Sequence, residues 1–145
     1  MYKKILAPLD GSEFSECILE HAKSIALGCS TPDVVLLMVV EPAQLEEDLR
    51  EKVDTKNKKA AKDYLAKVAD RLKKEGLAAQ STVIVGKPAD AILDYAAKNK
   101  VDLIVMSTHG RSGITRWAAG SVADRVMRNS PAPVLLVAPS GCRVR

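Results

Sequence analysis

Val34-Val35-Leu36-Leu37-Met38-Val39-Val40 is seven apolar residues without a break. A strand with one wet face alternates apolar and polar side chains, so an unbroken run rich in valine marks a strand covered on both faces. Burial of that kind belongs to parallel sheets, whose crossover helices lie on either side. Working outward, four more segments read as strands: Lys4 to Leu9 before it, then Ser81 to Val85, Asp102 to Met106 with Leu-Ile-Val-Met at its centre, and Pro133 to Val137.

Helical patterns separate these strands. Phe14, Ile18, Ala22 and Ile25 recur at spacings of three and four, with Ser12 as N-cap, Glu13 and Glu16 in the first turn, and Gly28 as C-cap. Ala61, Leu65, Val68 and Leu72 form a second apolar stripe that ends at Gly76. One helix over residues 44–75 would span about 48 Å at 1.5 Å per residue. That is long for a domain of this size, so a break is expected near Val53 to Asn57. Gly86-Lys87-Pro88 reads as a turn with proline at the first helical position, and Ala91 to Lys98 as the next helix, with Ile92, Tyr95 and Ala96 on one side. Ser121 to Arg128 completes the series. The alternation β-α-β-α-β-α-β-α-β specifies an α/β fold: one open parallel sheet with right-handed crossovers and helices on both faces. Pattern alone leaves the strand order open.

Bulk properties agree and exclude several classes. The chain has 145 residues, 47% hydrophobic and 28% charged, the profile of one globular domain over residues 1–145. No apolar run approaches the ~20 residues of a membrane-crossing helix. Pro8 and Asp10 interrupt the first apolar stretch too early for a signal peptide, so a cytoplasmic address is expected. Cys17, Cys29 and Cys142 form no C-x-x-C pair, and Cys17 reads as a buried thiol. Neither histidine lies in a zinc-binding pattern, and no metal site is expected. The net charge of +4 is uneven: residues 52–74 hold nine Lys and Arg against three Asp, or +6, leaving −2 for the remainder. With few aromatics for stacking on bases, that segment reads as a solvated helix face and not as a nucleic-acid surface.

In an open parallel sheet, ligands bind beyond the carboxyl ends of the strands where the strand order reverses. Two such places stand out. Pro8-Leu9-Asp10-Gly11-Ser12 puts a carboxylate at the end of the first strand, able to accept hydrogen bonds from ribose or a base, to help hold a metal, or simply to cap its turn. After the fourth strand, Ser107-Thr108-His109-Gly110-Arg111-Ser112-Gly113 leads through Ile114 to Ala119 into Gly120-Ser121-Val122-Ala123-Asp124. Thirteen residues separate Met106 from Gly120, where two to six are usual. Ser121 and Asp124 fit a capping pattern, so a helix N-terminus, free backbone N–H groups and the charge of Arg111 converge on an anion site suited to phosphate. Neither G-x-G-x-x-G nor G-x-x-x-x-G-K-[ST] occurs, and no acid–histidine pair is apparent to activate Ser112. No residue is assigned a catalytic role.

Taken together, these blocks resemble the universal stress protein family over the whole chain. Tyr2 to Ser12 resembles that family's first strand and aspartate turn. Met106 to Ala123 is similar to its ATP-binding signature, G-x-x-G, nine residues, then G-[ST]: Gly110 is the second glycine, Arg111 to Ala119 the nine, and Gly120-Ser121 the end. Ser130 to Val137 resembles its last strand. Ser107 departs, standing where the signature has its first glycine, while Gly113 is an additional glycine. The resemblance implies a five-stranded sheet of order 3-2-1-4-5, adenine-nucleotide α-hydrolase-like, with the reversal between strands one and four. It implies that Pro8, Leu9 and Asp10 line an adenosine pocket and that the Val39 backbone contacts adenine. Met106, Ser107, Thr108, His109 and Gly110 would meet ribose and the α-phosphate, and Arg111, Gly113, Gly120, Ser121 and Val122 would surround the phosphates. The implied ligand is ATP, or AMP or ADP, alone or with Mg2+ bridging the phosphates. The implied assembly is a homodimer through Val134, Leu135, Leu136 and Val137, an apolar edge that a monomer would leave uncovered. The function implied is a dimeric, ATP-holding stress-response regulator with little or no turnover. Two alternatives stand beside it: a slow ATPase in which His109 or Asp10 positions water, and a nucleotide-free signalling partner disabled at Ser107.

Overall fold

The computed structural model describes residues 1–30, 33–108 and 122–138. The elements run β1 (Lys4–Leu9), α1 (Glu13–Glu16), α2 (Ile18–Gly28), β2 (Asp33–Val40), α3 (Glu47–Lys74), β3 (Ala78–Val85), α4 (Pro88–Lys98), β4 (Leu103–Ser107), α5 (Val122–Asn129) and β5 (Val134–Val137). All five strands are parallel, in the order β3-β2-β1-β4-β5.

Alternate residues of each central strand enter opposite core layers, which is why their sequences are apolar throughout. Ile5, Ala7 and Leu9 of β1 and Val34, Leu36 and Met38 of β2 pack with α2 and α3. Leu6 of β1 and Val35 and Leu37 of β2 pack with α4 and α5. Ile5, Leu6, Leu36 and Leu37 are wholly buried, each contributing about 1.5–3 kcal/mol by removal of apolar surface from water.

Three local expectations are corrected. Phe14 and Ile18 do not share one helix: the chain makes a short α1, turns at Cys17 and restarts as α2, leaving Phe14 exposed. Gly28 is the last residue of α2 rather than its cap, and the left-handed conformation falls on Ser30 at φ 64°. The break near Val53 to Asn57 is absent, because α3 is a single helix of 28 residues, about 42 Å long. The size argument assumed that a helix must stay within the span of its sheet. Instead Ala61, Leu65, Val68, Ala69 and Leu72 are buried against the sheet, while residues 47–60 project beyond it, mostly exposed. The loop folds back on this projection through the Ala43 amide, which donates to Asp54 Oδ1 at 2.9 Å. All nine basic residues from Lys52 to Lys74 are exposed, the solvated face expected of them.

Of the other features, the helix boundaries at Pro88 and Gly76 follow the sequence, while two strand starts and the state of Cys17 differ from it. Pro88 opens α4, where its missing N–H and fixed φ suit the first turn. Gly76 ends α3 at φ 93°, with the Leu77 amide donating back to the Leu72 carbonyl at 3.1 Å, a glycine-dependent closure. β3 starts three residues before the expected Ser81, and β5 starts at Val134. Cys17 is half-buried and disulfide-bonded, not a buried thiol, whereas Cys29 is free. Among the described residues no helix is long and apolar enough to cross a membrane.

Candidate functional site

β1 is the pivot of the sheet, with β2 on one side and β4 on the other. Its pairing with β2 runs the full strand, from Lys4 opposite Asp33 to Leu9 opposite Met38. Its pairing with β4 covers only Ile5 opposite Leu103 and Leu6 opposite Ile104. The reason lies in the sequence: Pro8 has no N–H to give a ladder, and proline is rarely accommodated between two partners. The paired registers of β1 and β4 end at Leu6 and Ile104, at the order reversal where open parallel sheets offer a crevice. Continuing the register sets Leu9 across it from Ser107.

Asp10 stands at one lip of this crevice. Its Oδ1 accepts from the Ser12 amide at 2.8 Å and from Ser12 Oγ at 2.5 Å. Gly11 permits this tight turn by adopting φ 87°, which a side chain would oppose. Ser12 caps α1, its Oγ accepting from the Ser15 amide at 3.1 Å. Ser15 closes the circuit: its hydroxyl donates to the Ser12 carbonyl at 2.9 Å and accepts from the Asp10 amide at 3.2 Å. Asp10 is therefore both the cap of its turn and a carboxylate fixed at a strand end, since each role is met by the same geometry.

Ser107, the last residue of β4, stands at the other lip, and the Thr108 amide donates to the Val137 carbonyl at 3.0 Å. Val39 lies near the end of β2, paired with Ile84 and half-buried on the face of α4 and α5. Val122, half-buried, begins α5, whose Ala123 and Val126 are buried on that same face. The sheet thus brings Pro8, Leu9, Asp10, Val39, Met106, Ser107 and Thr108 to one edge. His109, Gly110, Arg111, Gly113, Gly120 and Ser121 lie outside the described residues. A groove of about 680 Å³, with Leu45, Arg50 and Lys87 among its lining, opens on the same edge beyond β2 and β3.

Two residues that the sequence reading passed over support the site. Ser15 is the buried polar residue among those described, at 4% exposure, and it ties α1 to Asp10. Its position three after Ser12 was the available signal. Tyr64 of α3 packs its ring against the core layer that contains Leu9. Its hydroxyl is buried beside the Glu16 carboxylate. Burial above all, then the neighbouring Glu16 carboxylate, holds that hydroxyl far above the usual tyrosine range.

The five-stranded parallel sheet of order β3-β2-β1-β4-β5 with helices around it is an α/β domain of the adenine-nucleotide α-hydrolase-like fold. The family model for universal stress proteins matches residues 1–138, and the chain belongs to that family. Universal stress protein MJ0531 of Methanocaldococcus jannaschii is 36% identical over 141 residues, spanning 94% of this chain and 82% of that protein. The solved structure of MJ0577, from the same organism, matches with a TM-score of 0.86 at 32% identity, covering 95% of this chain and 96% of that one. A universal stress protein solved in complex with cAMP matches with a TM-score of 0.75 at 26% identity, covering 94% and 97%.

Proposed function

We propose that this chain is a dimeric regulatory module that holds an adenine nucleotide with little or no turnover. The observation that supports the reading is the order reversal between β2-β1 and β4-β5, with β1–β4 pairing ending at Leu6 and Ile104 and Asp10 and Ser107 at the carboxyl ends of those two strands. A family member solved with cAMP supports adenine as the base. In this reading Pro8, Leu9 and Asp10 line the adenosine pocket, and Val39 offers its backbone to the base. Met106, Ser107, Thr108, His109 and Gly110 meet ribose and the α-phosphate. Arg111, Gly113, Gly120, Ser121 and Val122 surround the remaining phosphates, with the N-terminal end of α5 supplying the favourable dipole. Asp10 Oδ1 is engaged by its own turn, which favours holding the nucleotide over activating water.

Dimerisation through β5 belongs to the same reading. Val134 to Val137 is a sheet edge made wholly of apolar residues, with Leu135 37% exposed. Antiparallel pairing of two such edges about a two-fold axis would satisfy their backbone groups.

The deciding experiment is mass spectrometry of nucleotide released by denaturing freshly purified protein, followed by calorimetric titration with ATP and AMP in the presence of magnesium. Release of ATP, ADP or AMP, or saturable binding, is expected. Protein that is nucleotide-free and gives no binding isotherm defeats the proposal. Gly120→Val, which places a branched side chain where the phosphate must approach backbone, is expected to abolish binding.

A further inference from the structure

We propose that the free edge of β3 is a docking surface for an extended segment of a partner protein in which acidic and apolar residues alternate. β3 is the outermost strand on the side away from β5, and its register with β2 runs unbroken from Asp33 opposite Ala78 to Val40 opposite Val85. Proteins usually blunt such an edge with a charge, a proline or a bulge. Ala78-Ala79-Gln80-Ser81-Thr82-Val83-Ile84-Val85 has no charged residue and no proline, and the even register leaves no bulge. The Gly86 amide donates to the Val40 carbonyl at 3.0 Å, so residue 86 faces β2. Backbone groups of successive strand residues point to opposite edges, so Ala79, Ser81 and Val83 offer their N–H and C=O groups outward.

The two faces flanking this edge differ, and the difference sets the chemistry of the partner. On one face lies α3, whose buried stripe of Ala61, Leu65, Val68 and Leu72 covers the sheet. Arg71, to one side of that stripe, reaches Glu16 of α1 at 3.1 Å, on the side of β1. At about 100° per residue, Lys58, Lys62 and Lys73 fall on the opposite flank, toward the open edge. All three are exposed, and none enters an ion pair among the described residues. No acidic residue stands among them on that flank, since Asp63 and Asp70 fall on the outer face of the helix. Lys58 and Lys62 are one turn apart, about 6 Å, close to the ~6.6 Å between alternate residues of a strand. On the other face, a groove of about 600 Å³ opens between the end of β3 and α4, with Ile84, Val85 and Leu93 in its lining. Its two carboxylates are already paired, Asp90 with Arg125 at 2.7 Å and Asp94 with Lys98 at 2.9 Å. A strand laid beside β3 turns alternate side chains to these two faces, carboxylates to the lysines and apolar groups to the groove. The β3 of a second copy brings no acidic residue to this flank, and nucleic acid has no peptide backbone to extend the ladder.

The test is fluorescence anisotropy with a labelled eight-residue peptide of alternating glutamate and valine, matched to the length of β3. Saturable binding is expected, weakening about tenfold between ~0.01 M and ~0.15 M salt. Lys58→Gln, Lys62→Gln and Lys73→Gln together are expected to lower affinity about tenfold and to remove most of that salt dependence. Ser81→Pro deletes an outward N–H without touching the ladder to β2, and a loss of about tenfold is expected. The same peptide N-methylated throughout, which leaves the protein untouched, is expected not to bind. Hydrogen exchange at the Ser81 and Val83 amides is expected to slow when the unmodified peptide is present. Absence of saturable binding at low salt overturns the proposal. So does equal affinity for the N-methylated peptide, which marks attraction of charge alone. Tighter binding of polyuridylate or of phosphatidylserine vesicles, abolished by the three glutamine substitutions, overturns it in favour of another class of partner. Protection of the Ser81 and Val83 amides that grows with protein concentration alone overturns it in favour of self-association.

Discussion

The seam between β1 and β4 has an aspartate at each end, and the two do different things. At the amino end, Asp102 reaches across the strands: Oδ2 accepts from the Lys3 amide at 2.7 Å and Oδ1 from the Lys4 amide at 2.9 Å. The Asp102 amide returns a bond to the Lys4 carbonyl at 3.1 Å. At the carboxyl end, Asp10 turns back on its own loop and bonds Ser12, two residues away. One carboxylate clamps the strands together where they pair, and the other stands beyond their last paired residues. The sheet is fastened at its amino end and carries no such clamp at the carboxyl end, where the proposed nucleotide would bind.

That contrast can be broken by substitution. The largest effect is expected from Asp10→Ala, which should weaken AMP and ATP about a hundredfold by calorimetry while costing about 1 kcal/mol of stability, the usual value of a lost cap. Asp102→Ala should do the reverse. Losing a carboxylate that two backbone amides share is expected to cost about 2 kcal/mol, or roughly 5 °C in thermal melting, with nucleotide affinity unchanged. If Asp102→Ala weakens the nucleotide as much as Asp10→Ala does, the two ends are not separable. The smallest effect belongs to Lys58→Ala combined with Lys59→Ala on the projecting half of α3. It should stay within about 0.5 kcal/mol in denaturant titration, and it sets the background against which the others are read.

The same pair shows what a sequence discloses. Asp10 was legible because its partners are local: an Asp-Gly-Ser turn after an apolar run carries its own geometry. Asp102 was not, since it acts on amides 98 and 99 residues away and only the fold brings them together. The strands were readable from their unbroken apolar runs, yet the order 3-2-1-4-5 came from resemblance, because pattern records burial and not neighbours. The uninterrupted course of α3 was hidden for another reason. Nothing in a string of lysines says whether a helix may outrun its sheet. Tyr64 falls outside the apolar stripe read from the sequence, and the burial of its hydroxyl beside Glu16 is a property of packing between α3 and α1. Of the site, Asp10 and Ser107 were chosen from strand ends and Val39 through the family resemblance, and the sheet brings all three to one edge.

The projection of α3 has a consequence for how this chain can vary in length. Residues 47–60 stand clear of the sheet, and the first fully buried side chain of the helix is Ala61. Removing or adding whole turns there changes neither the register of the buried stripe nor the anchoring of β3 that follows it. Helical register repeats after about 3.6 residues, so insertions of seven residues, close to two turns, leave the later face where it was. The overhang is where insertion or deletion of whole turns is expected to cost least, a telescoping arm on an otherwise fixed frame.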